Sequence, residues 1–235
     1  MNELHTLLLT TLIIGTIHTL IGVDHYVPFI AMNRVNGWSI KKTMLIVLAC
    51  GIGHVLSSVL LGFAGIGLSI GLSTLVNIES VRGELATYFL IAFGLIYMLW
   101  GIKSAYNNRP HRHITPVGHA IEHVHRSTEH IHNHQQANGK KSRNAFWSLF
   151  ILFALGPCEP LIPIIMYPAA TMNTFALVSV TLLFSVCTIA TMLVATYTGI
   201  IGINLIKIQK FESYSHILAG FSIFSCGLMI MFFNI

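Results

Sequence analysis

Charged residues are scarce along this chain. Asp, Glu, Lys and Arg make up only 9% of its 235 residues, whereas a soluble domain has about 25%. This scarcity argues against a soluble globular domain. It also argues against a nucleic-acid-binding protein, despite the formal charge of +5. Hydrophobic residues make up 54% of the chain, which is typical of a protein embedded in a lipid bilayer.

Cysteines are also few, and none forms a Cys-x-x-Cys pair or shows a metal-ligand spacing. All of them fall within long apolar stretches. We therefore interpret them as small buried hydrophobic residues. The four are Cys50, Cys158, Cys187 and Cys226.

Long apolar stretches are abundant, and about 20 helical residues suffice to cross the hydrocarbon core of a bilayer. Six stretches reach that length. We therefore predict an all-α polytopic membrane protein with six transmembrane helices. The predicted spans cover residues 7–32, 43–70, 85–103, 145–170, 175–206 and 215–233.

The basic residues predict the orientation of the chain. If six helices alternate in direction, Arg82 alone among the 13 Lys and Arg residues falls on the side that holds both termini. Cytoplasmic loops are the ones enriched in Lys and Arg. We therefore expect a multi-pass protein of the bacterial cytoplasmic (inner) membrane, with both termini outside and the long central loop inside.

The chain divides into residues 1–105, a polar loop at 106–143, and residues 144–235. The two apolar parts are weakly similar, since Asp24 precedes Pro28 by four residues and Glu159 precedes Pro163 by four. Three helices in each part would place the second copy upside down. Inverted repeats with interrupted helices are a recurring plan of membrane transporters, so we predict two inverted three-helix repeats.

Prolines concentrate in the first and fourth predicted helices. A proline inside a helix removes a backbone hydrogen bond and clashes with the preceding turn. We therefore predict that helices 1 and 4 are broken, the latter around residues 156–163. The five prolines concerned are Pro28, Pro157, Pro160, Pro163 and Pro168.

Ionisable residues inside the predicted spans indicate a functional site, because they are costly in hydrocarbon. Asp24 and Glu159 are the two carboxylates, and no Lys or Arg lies well inside a span. Imidazole combined with carboxylate favours a transition-metal ion. The candidate metal ligands are Asp24, His25, His54, Glu159 and His18.

The spacing of the first two histidines leaves two arrangements open. His18 and His25 share a helical face but lie two turns apart, about 10 Å along a regular helix. They can bind one ion only if the helix opens, for which Gly22 provides a place. Otherwise Asp24 or His25 would bind with His54 and Glu159, and His18 would line the path of the ion.

The central loop is rich in histidine, which is typical of metal capture. Its low apolar content predicts disorder, although two pairs, His119 with His123 and His130 with His134, have the i, i+4 spacing of one helical face. A cytoplasmic loop of this kind slightly favours efflux. The eight histidines are His111, His113, His119, His123, His125, His130, His132 and His134.

The segment from His18 to Phe29 resembles the signature helix of the nickel/cobalt transporter superfamily. That signature has a His, four residues and Asp-His, whereas five residues separate His18 from Asp24 here. The chain is most similar to the urease-accessory-like and sulfite exporter-like six-helix membrane proteins. The resemblance implies transport of a divalent metal ion, nickel or cobalt first and zinc or copper next, with Asp24 and His25 in the site.

Two other functions stay open. A sulfite or organic anion exporter agrees with the label of the similar proteins, but two buried acids oppose an anion. The Gly156-Pro157-Cys158 segment resembles the helix break of transmembrane thiol-disulfide electron carriers. Those carriers need a matched second cysteine, and Val23 occupies the matching position here.

The main interpretation is therefore a transporter and not an enzyme. Its expected partners are the metal-ion substrate and the lipid bilayer. We expect no permanently bound cofactor and no nucleic acid. Coupling to protons and oligomerisation are both left open by the sequence.

Overall fold

The computed structural model describes residues 3–107, 111–114, 120–123, 134–156, 158, 160–171, 173–205 and 215–233. Helices dominate these residues. The first half contains α1 (Glu3–Ile21), a 3₁₀ turn (Val23–His25), α2 (Val27–Asn36), α3 (Ile40–Gly67) and α4 (Leu72–Asn107). The strands β1 (His111–Ile114) and β2 (Ala120–His123) follow. The second half contains α5 (His134–Leu155), α6 (Leu161–Ala170), α7 (Thr174–Leu205) and α8 (Ser215–Phe233).

Among the described residues, five helices are long and apolar enough to cross a membrane, namely α1, α3, α4, α7 and α8. The protein is therefore a polytopic, mainly helical membrane protein. The apolar end of α5, Asn144–Leu155, and the ten-residue α6 are each shorter than a span. A sixth crossing, made by these two pieces together, stays a prediction.

The distribution of polar and apolar side chains is typical of a protein surrounded by lipid. Large apolar side chains such as Leu45, Leu60 and Val186 are mostly exposed. Several threonines and histidines are buried instead, including Thr11 and Thr188. In water such a surface would cause aggregation, whereas in hydrocarbon it is the expected arrangement.

Both predicted helix breaks are present. The first helix stops at Ile21, makes the short 3₁₀ turn and resumes at Val27, with Pro28 at the start of α2, where its missing N–H is tolerated. The second break separates the end of α5 from the start of α6 at Leu161, with Pro160 just before it.

The helices of the two halves pack in a reciprocal way. Helix α4 packs on α8 and α3 on α7, while α1 packs on α7 and α5 and α6 pack on α3. Exchanging the halves maps these contacts onto one another, with α2 on α7 as the counterpart of α6 on α3. The contact of α4 with α5 departs from this symmetry. Gly62 of α3 lies against Ile165 of α6, and Gly199 of α7 lies against Ile30 of α2. These matched contacts support the inverted repeat, which stays a prediction.

Helix α4 begins earlier than predicted. It starts at Leu72, whereas the sequence suggested residue 85, and it contains both Glu79 and Arg82. Arg82 therefore lies in a helix and not in the loop that the sequence suggested, and Glu79 is a buried carboxylate in addition to the predicted Asp24 and Glu159. The charges of Glu79 and Arg82 lower the mean hydropathy of the first turns of α4. A prediction based on apolar stretches therefore did not include these turns.

The central loop differs from the prediction in its described parts. Strands β1 and β2 pair antiparallel, with His111 opposite His123. His123 lies in β2 and not in a helix, whereas His119 lies outside the described residues, so their pairing stays a prediction. Helix α5 begins at His134, inside the predicted loop. His119, His125, His130 and His132 lie outside the described residues.

Candidate metal centre

Three histidines from separate elements meet at the first helix break. His18 lies in the last turn of α1, His25 ends the 3₁₀ turn and His54 lies in the middle of α3. The ring centroids of His18 and His25 are 5.1 Å apart, as are those of His25 and His54. One candidate ligand nitrogen from each ring lies within 4.8 Å of the other two. The opening of the helix at Gly22 thus removes the 10 Å separation that a continuous helix would impose.

The same atom of each ring lacks a partner. The Nε2 atoms of His18, His25 and His54 are buried and accept or donate no hydrogen bond among the described residues. Leaving a buried polar atom unsatisfied costs about 1–3 kcal/mol. Three neighbouring histidines that each have such an atom are the arrangement expected of a site that an ion completes.

The Nδ1 atoms of His25 and His54 are oriented by oxygen acceptors. His54 Nδ1 donates to the carbonyl oxygen of Phe153 at 3.2 Å. His25 Nδ1 lies 3.0 Å from the carbonyl oxygen of Gly22 and 3.2 Å from Asp24 Oδ1. A carbonyl can only accept, so in the neutral ring the proton is on Nδ1 and the Nε2 lone pair is free. Metal-binding histidines are commonly held in this way.

Asp24 is the predicted acid that the structure describes. The Asp24 side chain is 34% exposed and lies beside the cluster, where it contacts His25 and is not one of the three clustered groups. Asp24 therefore lies where its charge and its contact with His25 can affect the site. Glu159 lies outside the described residues.

A cavity of about 550 Å³ adjoins the histidine cluster. All three histidines line it, together with the acidic residues Asp24, Glu79 and Glu84. Clefts lined by charges of one sign concentrate ions of the opposite sign. This lining therefore favours a cation over an anion.

Sequence reasoning missed the polar groups of α4. Glu79 is only 1% exposed and pairs with Arg82 at 2.8 Å. Arg82 also donates to Ser57 on α3 at 2.8 Å. The i, i+3 spacing of Glu79 and Arg82 on a helix is a signal that could have identified the pair.

The comparison with known families gives a match that covers nearly the whole chain. Residues 7–231 match the model of the cytochrome c biogenesis protein transmembrane region. The chain belongs to this family. It is a family of thiol-disulfide electron-transfer membrane proteins. No curated protein and no solved structure shows significant similarity to the chain.

The assignment to the nickel/cobalt transporter superfamily was therefore wrong. It depended on a dozen residues around one helix break, whereas the match to the cytochrome c biogenesis family covers nearly the whole chain. A glycine, an acid and two histidines form a short pattern that can arise in unrelated apolar helices. The family supports the thiol-disulfide carrier better than it supports metal transport.

The cysteines bear directly on that alternative. Cys50, Cys158 and Cys226 are buried, Cys187 is partly buried, and none is joined in a disulfide. Cys50 and Cys226 belong to the apolar core that also contains Phe29, which agrees with the interpretation of both as buried hydrophobic residues. Cys158 differs, because it lies in the second helix break and not within a helix.

Proposed function

We propose that this chain binds a transition-metal ion at His18, His25 and His54 and carries it through the membrane. The observation that supports the proposal is the convergence of three buried histidines, each with an unpartnered Nε2 atom, within the described residues. Imidazole nitrogens suit zinc, copper, iron and nickel, and oxygen ligands suit magnesium, calcium and manganese. Three imidazoles with an open fourth position are also a known zinc arrangement.

The charges around the cluster support a cation as the substrate. Asp24 lies beside the histidines, and Arg82 is paired with Glu79. A sulfite or other anion exporter would need uncompensated positive charge at the site. The acidic lining of the cavity opposes that function.

The two helix breaks support movement of the ion as well as its binding. Interrupted helices at the interface of inverted repeats are typical of alternating access. In this proposal the repeats rock about the histidine cluster, the histidine-rich loop captures ions on the cytoplasmic side, and efflux is the favoured direction. Coupling to protons would use Asp24, and no catalytic reaction is involved.

Metal flux into proteoliposomes tests the proposal. Purified protein is assayed with Zn²⁺, Cu⁺, Fe²⁺, Ni²⁺ and Co²⁺, with Mn²⁺ and sulfite as controls. We expect flux of at least one imidazole-preferring ion, its loss in His54→Ala, and normal flux in His5→Ala, since His5 is exposed near the start of α1. Absence of flux for every metal, or equal flux through His54→Ala, would contradict metal transport.

The family membership favours a second candidate, a transmembrane thiol-disulfide electron carrier. Cys158 is the residue to examine, because it lies at a helix break and its backbone N–H donates to Ser58 Oγ at 3.1 Å. Redox titration of the membrane-embedded protein, followed by alkylation of thiols, tests this candidate. Reversible oxidation that Cys158→Ser abolishes and Cys187→Ser preserves would support electron transfer. Four cysteines that stay reduced throughout would reject it.

A further inference from the structure

Arg82 joins three helices around the second helix break. Besides Glu79 of its own helix, its guanidinium donates to Ser57 Oγ of α3 at 2.8 Å and to the carbonyl oxygen of Ala154 at 3.2 Å. Longer contacts reach the carbonyl oxygen of Gly156 at 3.4 Å and Ser58 Oγ at 3.5 Å. The guanidinium thus bridges α3, α4 and the end of α5.

The carbonyls that Arg82 binds are those that a helix end leaves without partners. Helix α5 stops at Leu155, and the N–H of Gly156 binds the carbonyls of Leu152 and Phe153 and not that of Ala154. A cation at this end also interacts favourably with the helix dipole. On the far side of the break, Ser58 accepts the backbone N–H of Cys158. Arg82 and Ser58 therefore hold both sides of the break.

This anchored segment also holds one wall of the histidine cluster. Phe153, adjacent to Ala154, provides the carbonyl that accepts the Nδ1–H of His54. We propose that Arg82 is a positioning residue of the metal site, which fixes the end of α5 so that Phe153 holds His54 Nε2 toward His18 and His25. The inference rests on the proposed metal site and identifies a residue that acts on it through the backbone.

Glu79 compensates the positive charge of Arg82, which lies near the proposed metal-ion site. It pairs with Arg82 at 2.8 Å and is itself almost fully buried. The pair has no net charge, so Arg82 can supply its donors without repelling the ion. A role of Arg82 through its charge and a role in positioning His54 therefore predict opposite changes in metal affinity when Arg82 is replaced.

The decisive variants are Arg82→Gln and Arg82→Lys, with Lys103→Gln on the exposed face of the same helix as the control. If Arg82 acted only through charge, Arg82→Gln would leave a negative Glu79 and raise metal affinity. Positioning predicts instead that both variants lower the affinity by about 10- to 100-fold, as loss of a partner that orients a metal ligand does. The Co²⁺ absorption spectrum at saturating metal should also change in both variants.

Thiol labelling without metal provides the second measurement. In a protein with Cys50, Cys187 and Cys226 replaced by Ala, we expect a maleimide to label Cys158 faster in the Arg82 variants, because the buried break opens more often. Ser57→Ala, which removes one contact of Arg82, should show smaller changes in the same directions. It serves as the test if the Arg82 variants do not fold.

The outcomes separate the two proposals. Lower affinity with faster labelling supports positioning, whereas raised affinity or unchanged labelling in a folded Arg82 variant overturns it. If the unmodified protein binds no metal, the proposed function fails. Labelling then still decides whether Arg82 anchors the break.

Discussion

At the scale of single residues, the metal site depends on which ring nitrogen is left free. His25 and His54 both turn Nδ1 toward oxygen acceptors, and all three histidines leave Nε2 buried and unpartnered among the described residues. Three neutral imidazoles form an uncharged ligand set. Asp24 contacts His25, so its carboxylate can supply the negative charge that such a set lacks.

Asp24→Asn separates the charge of this residue from its hydrogen bond. The amide oxygen can still accept from His25 Nδ1, so we expect a folded protein with weaker metal binding and no measurable flux. Metal flux and thermal unfolding in detergent are the measurements, and Glu3→Gln in the exposed first turn of α1 is the matched control. Normal flux through Asp24→Asn would show that this carboxylate has no role in transport.

At the scale of helices, glycines determine how closely α4 and α8 approach. A Cβ atom on Gly94 would lie 2.7 Å from Phe224 Cα, and one on Gly220 would lie 2.6 Å from Met98 Cα. Both contacts are with backbone atoms, which cannot rotate away. Small residues at such interfaces drive the packing of transmembrane helices, because backbones can then touch.

Gly94→Leu should force α4 and α8 apart and destabilise the protein by at least about 1–3 kcal/mol, the usual cost of overpacking. The thermal unfolding temperature in detergent measures the effect. Gly202→Leu on α7 is the control, since nothing lies within 4 Å of a Cβ atom there. Equal stability of both variants would contradict the close packing of α4 on α8.

At the scale of the whole molecule, the site and the histidine-rich loop are separate parts. The cluster lies at the first helix break, whereas the loop connects the end of α4 to the start of α5. The reciprocal contacts between the two halves involve the helices. Ion capture by the loop and ion movement through the helices should therefore be separable.

Deleting residues 111–134 should lower the apparent affinity for metal without abolishing turnover. Flux at low and at saturating metal concentrations distinguishes the two effects. Flux at low concentration should fall, and flux at saturating concentration should stay unchanged. Replacing the segment with a Gly/Ser linker of equal length controls for the shortened connection. Complete loss of flux in a correctly inserted linker variant would contradict this division of roles.

The sequence by itself determined the membrane environment and both helix breaks. Apolar length and scarce charge require a bilayer. Pro28 and Pro160 lie at the starts of the helices that follow the two breaks, whereas Pro163 and Pro168 lie inside α6. The histidines that meet were also identifiable, because ionisable side chains are rare in apolar stretches. The sequence did not identify the family, since a short motif carries less information than a match over residues 7–231.

Only the tertiary structure decided which groups come together. His18 and His25 meet because the chain turns at Gly22, and neither spacing nor composition determines that angle. Glu79 and Arg82 can lie in the packed part of α4 because each supplies the other's counter-charge and because Ser57 and the end of α5 accept further hydrogen bonds from Arg82. Such compensation depends on contacts between distant segments, which the order of residues along the chain does not reveal.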